Sequence, residues 1–232
     1  MPRHRGPHPA DRDLFSGDRL AALREAVTDL AWLRGRGYAD DGAIALVGNR
    51  YQLRERARSA LGRAAASDAT AALRRARHRP LAEVAGRALA IDGFNVLVTL
   101  ESALSGGVVL GCRDGALRDL GSVHGTYRHV EETGRALAGI AALLASVGPA
   151  EVTWYLDRPV SNSGRLAARL RELEPSWRVE LPMVADPALV TDPARVVASA
   201  DSWVIDRASS WVDLPAAVIE ALGIAPWRVD LA

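Results

Sequence analysis

Three apolar runs in this chain each end on an aspartate: residues 87–92 (RALAID) at Asp92, residues 151–157 (EVTWYLD) at Asp157, and residues 194–201 (ARVVASAD) at Asp201. In an open parallel sheet, ligands bind outside the carboxyl ends of the strands, so sheet topology can bring three such side chains to one edge. Carboxylates gathered there repel one another and raise each other's pKa values unless a cation neutralises them. Oxygen ligands of this kind suit Mg²⁺ or Mn²⁺, which keep several waters and share the rest of their shell with substrate phosphates. A metal so held activates water and stabilises the leaving oxygen of a phosphodiester. Aspartate after a strand is also an ordinary turn former and helix N-cap. Each acid alone has that simpler reading; the three together, with no rival cluster, favour a shared acidic site.

Other residues stand close to these acids in sequence. Asn95 can orient a metal-bound water or the Asp92 carboxylate, or cap a helix. Ser161, Asn162 and Ser163 precede a helical run, where free N–H groups and the helix dipole attract anions. They form a candidate phosphate seat beside Asp157, with Arg158 or Arg165 adding charge; the competing reading is an N-cap. His124, Tyr127 and Arg128 offer an acid, a stacking platform and a phosphate clamp. Against that stands the frequent structural use of a loop histidine. Asp114 and Asp119 are expected to form turns or pair with Arg113 and Arg118, and Cys112 to be a small buried residue.

The elements that must position these residues fall into two textures. Residues 18–66 are helical in pattern, with Leu20, Leu23, Val27, Leu30 and Ala31 on one face of a first helix closed by Gly35 and Gly37. A short helix from Asp40 or Asp41 to Gly48 follows, then a third segment with Leu53, Ala57, Ala60 and Leu61 inward and arginines elsewhere. Polar residues 67–80, ending in proline, mark a boundary. Residues 1–17 read as a flexible arm, 18–80 as a basic helical domain and 81–232 as an α/β domain. In the last, four short runs alternate with helical segments, and a fifth, PWRVDL, closes the chain. Strands alternating with helices imply crossovers, a mainly parallel sheet of about four to five strands and three layers. The stretch GGVVLGC with RDG is expected to form a small hairpin.

Composition narrows the function. At 232 residues, 49% hydrophobic and 25% charged, the chain can bury a core. One cysteine excludes an intramolecular disulfide and a multi-cysteine zinc site, and points to a reducing cytoplasm. No run approaches the roughly 20 apolar residues of a membrane helix. All 29 basic residues are arginine. Residues 1–80 hold 16 arginines against 9 acids, and residues 81–232 hold 13 against 19. A basic front and an acidic back suggest separate tasks, the arginine face meeting either nucleic-acid phosphates or the acidic second unit. Phosphate-loop, dinucleotide-fingerprint, His-Glu-x-x-His and nucleophile-elbow motifs are absent, which removes support for the corresponding enzyme classes.

Asp-Gly-Phe-Asn at 92–95, directly after the first strand, resembles the opening of the NYN branch of PIN-like nucleases. Tyr-Leu-Asp at 155–157 looks like that group's second strand-end acid, and Ala-Ser-Ala-Asp at 198–201 like its last, which often follows Ser or Thr. The resemblance implies a Rossmann-like sheet, strand-end aspartates that bind Mg²⁺ or Mn²⁺, and cleavage of RNA. It also implies a fourth acid, for which Glu131, Glu132 and Asp186 are candidates. The stretch SGGVVLGCRDGALRDLGSVHGTYRHV has no counterpart in that group. Over the whole chain, RGY…LVGNRYQLRERAR, ESALSGG, RDGALRD, HGTYR and DRPVSNSGRL resemble a bacterial and archaeal family catalogued as domain of unknown function 434, followed by a second such domain.

These readings lead to a metal-dependent ribonuclease using Asp92, Asp157, Asp201 and Asn95, with the helical unit on the nucleic-acid backbone. The alternatives are a non-catalytic RNA-binding or adaptor protein on the same fold, and a small-molecule phosphohydrolase or nucleotide-binding enzyme.

Overall fold

The computed structural model describes residues 4–121, 125 and 127–232. The helical part comprises α1 (Asp11–Leu14), α2 (Gly17–Gly35), α3 (Asp40–Arg50), α4 (Glu55–Ala64) and α5 (Asp68–Arg77). The spacing expected for α2 is realised: Leu23, Ala26, Val27, Leu30 and Ala31 are buried on one face. Helix α5 was not foreseen. Ser67 caps it by accepting from Thr70 N, and its inward face carries Ala71 together with the buried Arg74.

The α/β part follows as β1 (Ala88–Asp92), α6 (Gly93–Leu104), β2 (Val108–Gly111), β3 (Leu117–Asp119), α7 (Thr133–Val147), β4 (Glu151–Tyr155) and α8 (Ser163–Leu173). It continues with β5 (Arg178–Glu180), α9 (Ala185–Leu189), β6 (Val196–Ala198), α10 (Ser202–Arg207), β7 (Trp211–Val212), α11 (Leu214–Ala221) and β8 (Trp227–Asp230). Five strands form one parallel sheet in the order β5-β4-β1-β6-β7. Its core on one face joins Leu89 and Ile91 of β1 to α6, α7, α8 and α11. On the other face Ala90, Tyr155 and Val197 pack against α9 and α10. This is the expected three-layer α/β arrangement.

From β1 the chain steps to β4 and β5 on one side, then returns to β6 and β7 on the other. The reversal lies between β1 and β6, and a sheet of this type opens its ligand crevice at that point.

Three features depart from the sequence reading. The closing run around Trp227 forms β8, which joins the β2–β3 hairpin in a separate three-stranded sheet. That sheet shares its core with the helical part: Val108, Leu110, Val229 and Leu231 pack with Leu23, Leu30, Val47 and Leu61. The short strand β7 lies inside a run read as helical. Its outer edge is covered where Arg79 N donates to Trp211 O at 2.8 Å. Covering an edge strand in this way blocks pairing with other chains.

The arm expected to be flexible is instead docked over its described part. Asp11 is fully buried and bonds Arg56, and Leu14 and Phe15 join the helical core. Further out, Arg5 bonds the fully buried Glu101 of α6, whose carboxylate also accepts from Tyr127 and Thr133.

A candidate acidic site at the strand reversal

Asp92 is the last residue of β1 and the N-cap of α6, with Asn95 N donating to its Oδ1 at 3.4 Å. The glycine that follows is dictated by packing. A Cβ on Gly93 would run into the Leu156 side chain and come within 3.1 Å of Tyr155 O and 3.3 Å of the Trp154 ring. Only glycine lets α6 start this close to β4 and turn the Asp92 carboxyl toward the reversal.

Hydrogen bonds stitch the two sides of the reversal together. Ser199, 1% exposed, donates its hydroxyl to Asp92 Oδ2 at 2.8 Å. The same hydroxyl oxygen accepts from Asp201 N at 3.0 Å. Asn95 Oδ1 accepts from Ala200 N at 2.9 Å, so this amide holds the β6–α10 corner rather than the Asp92 carboxylate. Asp201 caps α10 through Oδ1, accepting from Trp203 N and Val204 N. Asp157 Oδ1 accepts from Ala185 N at 2.8 Å, which ties the end of β4 to the first residue of α9. Asp92 and Asp201 are therefore also helix caps, the reading that sequence offered as the alternative, and Asp157 holds a backbone N–H of α9, yet each keeps an oxygen outside these bonds.

Electrostatics brings four acids into one group. Burial, then the charges of Asp186 and Asp201, push the Asp92 carboxyl up to about 7, against the Ser199 hydrogen bond that pulls it down. Asp186 is half-buried, and its pKa is raised by burial and by Asp201 and Asp157. Of the three candidates for a fourth acid, Asp186 is the one beside the others. Glu131 and Glu132 sit at the start of α7 and face His4, with Nε2 at 3.3 Å and Nδ1 at 2.6 Å. Among the described residues, no three His, Cys, Asp or Glu side chains converge into a ready-made metal cage.

The remaining sequence candidates divide. Ser161, Asn162 and Ser163 serve a loop-to-loop joint: Tyr127 N donates to Ser161 O, Ser161 N to Gly125 O, and Asn162 Nδ2 to Tyr127 O at 2.8 Å. Ser163 Oγ donates to Arg158 O. Asn162 takes a left-handed backbone (φ 73°) and makes no side-chain cap. Their polar groups are thus largely spent on structure. Arg158 reaches Met183 Sδ at 3.0 Å. Tyr127 is fully buried against Glu101, not poised for stacking. Arg128 and Arg165 are exposed, and His124 lies outside the described residues.

A cleft of about 680 Å³ opens beside the acids, between the helical part and the sheet. Asn95 and Asp201 line one wall and Arg34, Arg63 and Thr70 the other. Asp119, expected in a turn or with Arg118, does close a turn, its Oδ1 accepting from Gly121 N, and it also lines this cleft; its Oδ2 accepts from Thr99 at 2.8 Å and Arg63 lies at 3.6 Å. Asp114 does pair with Arg118, and with Arg74, locking α5 to the hairpin. Sequence reasoning passed over Ser199 and Asp119. The Ser-x-Asp pattern at 199–201 is the signal for the first; nothing local signals the second.

Residues 81–217, more than half of the chain, match the family described as Domain of unknown function (DUF5616). The chain belongs to this family. Within this DUF5616 protein, residues 22–77 match a second family, Protein of unknown function (DUF434). It is similar to "Uncharacterized protein MJ0935" of Methanocaldococcus jannaschii, 32% identical over 205 residues, which is 87% of this chain and 98% of the relative. No solved structure matches it. No helix among the described residues is long and apolar enough to cross a membrane.

Proposed function

We propose that this DUF5616 protein is a cytoplasmic, divalent-metal-dependent phosphodiesterase of the PIN-like, NYN type that acts on RNA. One observation carries the reading: Asp92, Asp157, Asp186 and Asp201 form one group at the strand reversal, with Asp92 buried and pushed up to about 7 by that burial and by Asp186 and Asp201, and Asp186 raised in turn by burial and by Asp201 and Asp157. Buried carboxylates held together without a cation are costly, and an all-oxygen donor set of this charge fits Mg²⁺ or Mn²⁺. Asp92, Asp157 and Asp201 would hold the ion. When bound, it would neutralise the acids and polarise the phosphoryl oxygen of the substrate.

The chain's own residues divide the remaining work. Ser199 and Asn95 fix the Asp92 and Asp201 backbones relative to each other, so that the two carboxylates keep one spacing. Asp186 is held above the ordinary carboxylate range, and neither of its oxygens accepts a hydrogen bond among the described residues. With both oxygens free of such bonds, it is the acid best placed to take a proton from the attacking water.

The test is cleavage of mixed single-stranded and structured RNA with Mn²⁺ or Mg²⁺. Wild type should cut only with metal, and Asp92→Asn and Asp186→Asn should lose at least 100-fold, on the order expected for a general base. Metal-independent cleavage, or cleavage by both variants equal to that of wild type, refutes the reading. Salt-sensitive RNA binding without cleavage would favour a non-catalytic RNA-binding protein. A second catalytic reading, a small-molecule phosphohydrolase, is favoured by the cleft, whose 680 Å³ falls in the range of small-ligand sites, about 300–1,000 Å³. Thermal stabilisation by a nucleotide and not by an oligonucleotide would favour it.

A further inference from the structure

Many arginines of the helical part, which sequence offered either to phosphates or to the acidic second unit, are spent on the protein itself. Arg34 bonds Asp40 and the carbonyls of Gly62 and Ala65, Arg56 bonds Asp11, Arg63 bonds the carbonyls of Asp119 and Gly121, and Arg74 bonds Asp114 and Asp206. The contrast lies on α8. Arg165 and Arg169 are exposed and, like Arg128, have no hydrogen-bond or ion-pair partner among the described residues.

These three are gathered, not scattered. Arg165 and Arg169 stand four residues apart on α8, on one face of the helix. The Arg169 guanidinium comes within 3.0 Å of where a Cβ on Gly134 would sit, at the start of α7. The joint between Gly125, Tyr127 and Ser161–Asn162 lays residues 127–129 over the first turn of α8. There His129 feels both arginines: burial of its ring, then Arg169 and Arg165, lower its pKa. Its Nδ1 is buried without a partner. The neighbouring acids Glu131 and Glu132 are turned to His4.

The strand order places this patch in relation to the acids. Along the carboxyl edge come α8 beside β4 and β5, then Asp157 at β4, Asp92 at β1, Asp201 after β6, and finally the cleft walled by α5 and α10. We infer that a single-stranded nucleic-acid backbone lies across this edge, its phosphates on Arg165, Arg169 and Arg128, and its end directed into the cleft beyond Asp201. Unpaired arginine side chains lose little on meeting a phosphate, and guanidinium groups match its oxygens in pairs. A cleft of small-molecule size admits a strand end and not a duplex.

The inference rests on the phosphodiesterase reading for the direction of the strand, but its test reads binding apart from cleavage. The full chain is titrated with a short labelled single-stranded RNA in EDTA at several salt concentrations. Wild type is compared with Arg165→Gln/Arg169→Gln and with Arg36→Gln, which removes an exposed arginine stacked on Trp32 in the helical part. The double variant should bind at least 10-fold more weakly, and the slope of log affinity against log salt should shrink by about 1.4, roughly 0.7 per phosphate contact on a single strand. Arg36→Gln should leave both unchanged. Wild-type affinity and slope in the double variant, or no salt-dependent binding by wild type, overturns the inference. Binding that depends on the pair in a protein that never cuts RNA upholds the path and refutes the phosphodiesterase. Cleavage indifferent to the pair refutes the path and leaves the chemistry standing.

Discussion

The Ser199 hydroxyl donates to Asp92 Oδ2 at 2.8 Å, from the opposite side of the strand reversal. The same oxygen accepts the Asp201 N–H, so one small buried side chain sets the spacing of two acids that arrive from strands more than 100 residues apart.

Ser199→Ala should therefore act on the site more than on the fold. Losing one buried hydrogen bond costs about 1 kcal/mol. It also removes the strongest influence that holds the Asp92 pKa down, so that carboxyl should rise from about 7 to a higher value. The check is the pH dependence of Mn²⁺ affinity, whose rise should move to higher pH in the variant.

Asp92 makes the metal-free protein less stable as pH rises. Its folded pKa of about 7 lies above the ordinary 3.8, so the folded state holds the proton more tightly than the unfolded one between these values. Stability is full below the unfolded pKa and is lost as pH climbs to about 7, by at most on the order of 4 kcal/mol. Denaturant melts from pH 4 to pH 8 should show the decline in wild type and a flatter profile in Asp92→Asn. Added Mn²⁺ should restore wild type at pH 8 and leave the variant unmoved.

Among the described residues, Arg5 is the one cationic side chain bonded to the Glu101 carboxylate, which is fully buried. Removing one partner of a buried pair costs about 3–5 kcal/mol, because the remaining charge is left unmatched. Arg5 is partly exposed, so Arg5→Ala should fall near or below the lower end, and Glu101→Gln should offset much of that loss when combined with it. Thermal melts of the two single variants and the double variant decide this.

Gly93→Ala sets propensity against packing. Alanine exceeds glycine by about 1 kcal/mol inside a helix. Here the added methyl meets Leu156, the Tyr155 carbonyl and the Trp154 ring, and such overpacking costs about 1–3 kcal/mol. The variant should be less stable than wild type, with weaker Mn²⁺ binding as α6 backs away from β4.

Much of this was legible in the sequence because it was local. Short apolar runs ending on aspartate gave the strands and three of the acids, and leucine spacing gave α2. Helix α5 escaped because its inward face carries Arg74, a charge that only becomes a core residue once Asp114 and Asp206 arrive from far along the chain. Strand β7 is two residues long, too short for any period to show. Asp186 could not be chosen over Glu131 and Glu132 until the Asp157–Ala185 hydrogen bond brought α9 to the acids. The arginines left two readings open for the same reason: charge counted along the chain does not say which guanidinium groups the fold has already paired.

The proposed function requires that Asp92, Asp157 and Asp201 together hold a divalent cation, with Asp186 beside it. Calorimetric titration of the metal-free protein with Mn²⁺ at pH 8 tests it most directly. Binding should be saturable in wild type, weakened at least 10-fold by Asp92→Asn and by Asp201→Asn, and unaltered by Glu131→Gln. No saturable binding by wild type, or equal binding by all four proteins, would contradict it.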